Sequence, residues 1–67
     1  MRKLSIVIPC RNEKPYIEEC VRAIFAAELP DDIHAKVYVV DGMSDDGTRE
    51  LVTELIDEFE QLRLVDN

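Results

Sequence analysis

The order of short apolar runs and amphipathic stretches restricts what this 67-residue chain can fold into. Leu4 to Ile8 is short, β-branched and apolar at nearly every position, which is typical of a strand covered on both faces of a sheet. Similar runs occupy residues 35–40 and 62–65. The stretches between them carry apolar residues at three- and four-residue steps, as amphipathic helices do. Strands that alternate with helices predict a β-α-β-α-β unit with a parallel sheet and right-handed crossovers.

Each predicted helix has a start signal and one apolar stripe. Pro15 suits the first turn of the first helix, where its missing N–H would have no partner. The stripe of this helix should consist of Tyr16, Ile17, Cys20, Val21, Ile24 and Phe25. Ser44 or Asp45 is the expected N-cap of the second helix. The stripe of the second helix should consist of Leu51, Val52, Leu55, Ile56 and Phe59.

The short length predicts that residues 1–67 form a single, incomplete domain. A domain of this size buries only about 60% of the surface that its unfolded chain exposes, so its core is marginal. Two successive right-handed crossovers place both helices on one face of the sheet. The other face and one sheet edge then stay apolar and exposed, which favours contact with another chain. We therefore expect the isolated chain to associate with itself.

Charge and cysteine content exclude several classes of function. The net charge of −7 argues against nucleic acid as a partner, because binding of nucleic acid depends on an excess of Lys and Arg. Cys10 and Cys20 do not form a CxxC motif, and a single histidine gives no metal-binding cluster. Two reduced thiols in a cytosolic chain are the expected state, although the sequence leaves a disulfide open. No apolar run approaches the ~20 residues of a membrane span, and the N-terminal run is too short for a signal peptide.

Charged residues follow the first two predicted strands where these strands end. Ligands of open α/β sheets bind outside the carboxyl ends of the strands, and adjacent parallel strands bring the two loops together. Arg11 can stack on a base or pair with a phosphate, while the carboxylates of Glu13 and Asp41 can accept hydrogen bonds from a base or a ribose. This hypothesis predicts that Asp41 matters more to nucleotide binding than to folding. The alternative, that these residues only form turns, caps and a solvated ion pair, stays open.

Two motifs, in order and separated by one helix, resemble those of a known family. The stretch "SIVIPCRNE" resembles a strand followed by P-x-Y-N-E, and "VYVVDGMSDDGT" resembles a strand that ends in D-D-G-S-x-D-G-T. These motifs open the family 2 glycosyltransferases, and the similarity extends along essentially all 67 residues. The variants in this chain resemble transferases of bacterial exopolysaccharide synthesis, including the succinoglycan type. The resemblance implies a parallel half-sheet that forms the N-terminal, nucleotide-binding portion of a Rossmann-like GT-A fold.

The resemblance also implies a nucleotide-sugar donor, held by the loop after the first strand and by the Asp that ends the second. The positions that match the family's motifs are Pro9, Arg11, Glu13 and Asp41. Arg11 stands where a Tyr often stacks on the base, and Gly42 stands where a second Asp is common. The family holds a divalent cation, Mg²⁺ or Mn²⁺, on the diphosphate through a D-x-D motif, and this motif does not occur in the 67 residues.

The prediction is therefore an N-terminal piece of a glycosyltransferase, inactive by itself, with half a donor site and no catalytic or metal-binding residue. The parent enzyme would move a sugar to a glycan or lipid-linked acceptor in the cytoplasm, at the inner face of the membrane through parts outside this chain. One alternative is a stand-alone α/β interaction or regulatory module without catalysis, in which the acidic residues only cap helices. Another is a flavodoxin- or receiver-like domain, whose acidic pocket requires further strand-end residues that this chain lacks.

Overall fold

The computed structural model describes residues 2–27 and 29–66 and confirms the predicted alternation of strands and helices. The elements in chain order are β1 (Arg2–Cys10), α1 (Lys14–Ala26), β2 (Ile33–Asp41), α2 (Thr48–Glu58) and β3 (Leu62–Asp66). The sheet has the order β1-β2-β3, and both strand pairs are parallel. This α/β half-sheet is the arrangement expected of the N-terminal portion of a Rossmann-like fold.

The strands extend beyond the apolar runs into the polar residues at their ends. β1 includes Pro9, which an edge strand tolerates because one of its sides has no neighbouring strand to bond. In the register of the sheet, Cys10 lies beside Asp41, and Asp41 lies beside Asp66. The carboxyl ends of all three strands therefore align at one end of the sheet. The charged loops predicted from the sequence start from this end.

The core lies between the sheet and the two helices, which pack on the same face, as the crossover rule predicts. Its fully buried apolar residues are Ile17, Val21, Val37, Val39, Val52, Leu55 and Leu62. The rings of Phe25 and Phe59 stack with their centroids 4.6 Å apart, and the Arg22 guanidinium lies 5.6 Å from the Phe59 centroid. Neither helix of the described residues has the length and apolar character needed to cross a membrane.

Two expectations about burial are wrong. β1 is not covered on both faces: Val7, which points away from the helices, is 60% exposed. The reason is that both crossovers have the same hand, so no described helix lies on that face. Tyr16 and Cys20 are also exposed, because α1 turns Ile17 and Val21 towards the sheet and leaves these two residues on the flank of the helix.

The expected N-cap of α2 is also wrong, because the helix begins at Thr48. Gly47 is the N-cap residue and has a φ of 94°, a left-handed conformation that glycine adopts without steric conflict. The Asp46 carboxylate accepts hydrogen bonds from the Thr48 backbone N–H, at 3.0 Å, and from the Thr48 hydroxyl. Asp46 thus serves the first turn of α2, and Ser44 is free to act elsewhere in the loop.

Candidate functional site

A cleft of about 550 Å³ lies at the carboxyl ends of β1 and β2. Its lining residues are Pro9, Cys10, Arg11, Glu13, Val40, Gly42 and Met43. The loop after β1 (residues 11–13) and the loop after β2 (residues 42–47) are adjacent, because the Gly42 N–H donates to the Cys10 carbonyl oxygen at 2.8 Å. We call these two loops the rim. The end of β1 and the first loop bring three of the four predicted site residues, Pro9, Arg11 and Glu13, to one cleft.

The two loops of the rim are joined by reciprocal hydrogen bonds between Asn12 and the second loop. The Asn12 backbone N–H donates to the Ser44 hydroxyl at 2.8 Å, and the Asp45 backbone N–H donates to Asn12 Oδ1 at 2.9 Å. Asn12 has a φ of 52°, in the left-handed region that asparagine adopts more readily than most residues. The Lys14 N–H adds a bond of 3.3 Å to Asp46. The rim is therefore one hydrogen-bonded unit.

Asp41, the fourth predicted site residue, lies beneath the cleft and does not line it. Its side chain has no exposed surface. The carboxylate accepts hydrogen bonds from the Ser44 N–H at 3.0 Å, the Ser44 hydroxyl at 2.5 Å and the Arg49 guanidinium at 3.2 Å. Burial alone would raise the pKa of Asp41, but the hydrogen bonds from Ser44 and then the Arg49 charge outweigh it, so the pKa is lowered. Asp41 is therefore an ionised carboxylate that fixes the second loop.

Arg49 joins the ends of β2 and β3. Its guanidinium donates to Asp41 and also to Asp66, which are neighbours in the register of the sheet. Two aligned carboxylates at one sheet edge would repel each other, and a guanidinium between them removes that repulsion. The first turn of α2 thus holds the strand ends together, a role that the sequence analysis did not assign to Arg49.

Cys10 has no features of a reactive thiol, although it lines the cleft. Burial, followed by the charge of Asp41, raises the pKa of the Cys10 thiol. A protonated thiol is a poor nucleophile, and its Sγ lies 3.7 Å from Asp41 Oδ1, within the range of a weak S–H hydrogen bond. Both cysteines are free, and Cys20 is exposed. These observations favour a packing role for Cys10.

The described residues do not provide a metal site of their own. In residues 2–27 and 29–66, no group of three or more His, Cys, Asp and Glu side chains is arranged to hold an ion. Of the carboxylates around the cleft, Asp41 is bonded to Ser44 and Arg49, and Asp46 is bonded to Thr48, so Glu13 is the one that lines the cleft without such a bond in the described residues. A divalent cation does not fit these residues, and we derive no chemical step through a metal for this chain.

Comparison with known proteins places the chain in a family. Residues 5–67 match the model of glycosyl transferase family 2. The chain belongs to this family. The predicted family is thereby confirmed, whereas the assignment of Pro9, Arg11, Glu13 and Asp41 to nucleotide binding stays a prediction. The α/β half-sheet is correspondingly the N-terminal, Rossmann-like portion of a family 2 domain.

Three relatives match nearly the whole chain. The succinoglycan biosynthesis protein ExoA of Rhizobium meliloti (strain 1021) is 39% identical over 62 residues, which are 92% of this chain and 18% of ExoA. Glycosyltransferase AglE of Haloferax volcanii is 31% identical over 92% of this chain and 20% of its own length. A Methanococcus voltae glucuronosyltransferase whose name includes a dolichyl sugar phosphate is 32% identical, over 100% of this chain and 21% of its length.

This family 2 chain thus spans about a fifth of the length of the curated relatives it matches. No solved structure gives a significant match. Asn12, Ser44 and Arg49 were not predicted from the sequence to organise the rim and the strand ends. Asn and Ser in a loop are common turn residues, so their pairing across two loops was visible only once the strands were placed side by side.

Proposed function

We propose that this chain forms half of the donor site of a glycosyltransferase that moves a sugar from a nucleotide-sugar donor to a glycan or lipid-linked acceptor. The observation that carries this proposal is the cleft at the carboxyl ends of β1 and β2, lined by Pro9, Arg11 and Glu13, which resemble the family's first motif in sequence. The names of the relatives support it, since they include a succinoglycan biosynthesis protein and a transferase acting on a dolichyl sugar phosphate. We further propose a cytoplasmic location, with the inner membrane face reached through parts outside this chain.

The lining of the cleft suits a nucleoside diphosphate. The Arg11 guanidinium can stack on the base or pair with a phosphate, and Glu13 can accept a hydrogen bond from a ribose hydroxyl or a base N–H. Pro9 gives an apolar wall. No ion pair joins Arg11 to Glu13 in the described part of the chain, so neither charge is neutralised by the other. Because Ser44 and Arg49 occupy the Asp41 carboxylate, Asp41 serves nucleotide binding mainly by holding the rim, and its direct contact with the ligand stays a prediction.

Nucleotide binding by the full-length protein that carries this chain tests the proposal. We expect UDP, GDP, CDP or ADP to bind in titration calorimetry with Mg²⁺ present. Arg11→Ala and Glu13→Gln should each weaken the affinity by about 10- to 100-fold, the size of one lost charged hydrogen bond of ~1–3 kcal/mol. Glu19→Gln is the matched control, because Glu19 is exposed on α1 away from the cleft. If Arg11→Ala and Glu13→Gln bind nucleotide as tightly as the wild type and the control do, the result would contradict a nucleotide site in this cleft.

We expect the isolated 67-residue chain to transfer no sugar. The described residues hold no metal cluster, and the sequence has no D-x-D motif, so Mg²⁺ or Mn²⁺ would have to be held by other parts of the parent enzyme. Donor turnover should be measured with Mn²⁺ and with Mg²⁺ across several nucleotide sugars. Turnover by the isolated chain that Asp41→Ala abolishes would show that the chain is a complete enzyme and not half of a donor site.

We also propose that the isolated chain pairs with a second copy through the open face of the sheet, the face away from the helices. By strand alternation, the apolar residues of this face lie towards the carboxyl ends, and they are Val7, Pro9, Tyr38, Val40 and Val65. Lys3, Lys36 and Arg63 lie on the same face, and no acidic strand residue does. The surface is therefore positive in a chain with a net charge of −7.

A two-fold, antiparallel arrangement of two copies is compatible with both the apolar area and the positive charge of the open face. It stacks the apolar areas and sets the basic half of each copy over the partner's rim, where Glu13 and Asp45 are exposed. Strands of 9, 9 and 5 residues, with a spacing of ~4.8 Å and a rise of ~3.3 Å per residue, give a face of roughly 360 Å² per copy and a buried area on the order of 700 Å² in total, which is below the size of a standard specific interface. The pairing should therefore be weak and dependent on concentration.

Light scattering across a concentration series tests this association. The mean mass of the wild-type chain should rise towards that of a dimer, whereas Val7→Lys should remain monomeric because it adds a charge within the apolar area of the open face. Ala23→Lys, on the exposed side of α1, is the matched control and should behave like the wild type. A wild-type chain that stays monomeric at every concentration would contradict the proposal and favour a stand-alone module.

A further inference from the structure

Met43 has a backbone conformation that its residue type disfavours. Its φ is 59°, in the left-handed region that is uncommon for residues other than glycine, asparagine and aspartate. The family-type motif D-D-G-S-x-D-G-T has glycine at the corresponding position, where such a φ has no steric penalty. Met43 is thus a departure from the motif at a position where the backbone conformation favours glycine.

The loop around Met43 keeps this conformation through hydrogen bonds on both sides. The Gly42 N–H donates to the Cys10 carbonyl oxygen at 2.8 Å, and the Ser44 N–H donates to Asp41 at 3.0 Å. Strained conformations persist where the surroundings determine them in this way, and they are concentrated at functional sites. The hydrogen bonds of Gly42 and Ser44 hold the backbone in this conformation, and the Met43 side chain is not needed for it.

Core packing does not account for the Met43 side chain either. Met43 is 79% exposed, and it lines the cleft together with Arg11. A thioether is flexible and polarisable, and it makes favourable contacts with aromatic rings. Arg11 is a planar cation that stacks on rings as well. The two loops of the rim therefore bring two groups suited to a flat aromatic ligand to one cleft.

We propose that Met43 contacts the nucleobase of the donor and helps to select which base is bound. This inference rests on the proposed function, because it assumes that the cleft holds a nucleotide. The thioether supplies an apolar surface to the base, on the loop opposite Arg11. Because the contact is with the ring and not with its hydrogen-bonding edge, bases with a larger ring surface should depend on it most.

The test is a set of Met43 variants in the full-length protein, titrated with UDP, CDP, ADP and GDP. Met43→Asn keeps a residue that accepts the left-handed backbone, and Met43→Gly removes the steric conflict altogether. Both should weaken binding of the preferred nucleotide by about 3- to 10-fold, as expected for the loss of a sulfur–aromatic contact. Their melting temperatures should equal or exceed that of the wild type. Met43→Leu should retain most of the affinity, since it restores an apolar side chain of similar size.

The possible outcomes separate this inference from the proposed function. Wild-type protein that binds no nucleotide would overturn both. If the wild type binds and the Asn and Gly variants bind equally well across the four nucleotides, Met43 makes no contact with the base, and the proposed function stands without it. If affinity and melting temperature fall together in both variants, Met43 has a structural role in the loop. Lost affinity with an unchanged or higher melting temperature supports the base contact.

Discussion

Asp41→Asn in the full-length protein should weaken nucleotide binding by about 10- to 100-fold and also lower the stability of the fold. The buried carboxylate accepts two hydrogen bonds from Ser44 and one from Arg49. An amide retains one acceptor oxygen but turns an NH₂ group towards one of these donors. A buried donor left without its partner destabilises a protein by about 1–3 kcal/mol. The burial of Asp41 thus adds a stability effect to the binding effect that the sequence analysis predicts.

The matched control for Asp41→Asn is Asp45→Asn, four residues later, in the loop that follows β2. Asp45 is exposed, and in the described residues only its backbone N–H takes part in a hydrogen bond of the rim. The control should leave both affinity and melting temperature close to wild type. Titration calorimetry and thermal unfolding measure the two effects separately. If Asp41→Asn lowers the melting temperature but leaves the affinity of the folded protein unchanged, Asp41 is only a structural residue.

Leu62→Ala should have the largest effect on folding of any single substitution considered for this chain. Leu62 begins β3, has no exposed surface and lies in the core between the sheet and the two helices. Truncation of a buried leucine to alanine destabilises proteins by about 2–5 kcal/mol, through lost burial and the cavity that remains. A domain of this length has roughly 3–10 kcal/mol of stability in total. The variant should therefore lose roughly half of the stability of this region.

Leu4→Ala provides the control for Leu62→Ala, because Leu4 is also a strand leucine but is 42% exposed. Its substitution should change the free energy of unfolding by only about 0.5 kcal/mol. Hydrogen exchange of the β2 and β3 amides would measure local stability within the full-length protein. Equal protection of these amides in the two variants would contradict the core assignment of Leu62.

The fold was largely predictable from the sequence because two local properties determine it. These are the spacing of apolar residues along each strand or helix and the right-handedness of the crossovers. The short apolar runs predicted all three strands, and the stripes containing Ile17, Val21, Val52 and Leu55 predicted the faces that both helices bury. The exposed side of β1 was harder to predict, since a short apolar run has the same sequence pattern whether one face or both faces of the strand are covered. Val7 shows this most clearly, because it belongs to the apolar run and yet faces away from both helices.

The site was predictable in position but not in its internal bonding. The rule that ligands bind at the carboxyl ends of parallel strands located Arg11, Glu13 and Asp41 correctly at one edge. It did not show that Asp41 is enclosed by Ser44 and Arg49. Such partners lie three and eight residues away along a loop and a helix, and their contact depends on where α2 begins. The N-cap at Gly47, in place of Ser44 or Asp45, is what leaves Ser44 able to reach both Asp41 and Asn12.

The reciprocal bonds between Asn12 and the second loop constrain how the chain can vary in length. An insertion in either loop would shift one partner and break both the Asn12–Ser44 bond and the Asp45–Asn12 bond. A loop on the surface usually tolerates such changes, because lengthening it has only a small entropic penalty. Here we expect neither the β1–α1 connection nor the β2–α2 connection to tolerate a change in its number of residues. Among the described residues, no hydrogen bond joins the turn between α2 and β3, at the opposite end of the sheet, to the rim, and this turn is the better place to extend the chain.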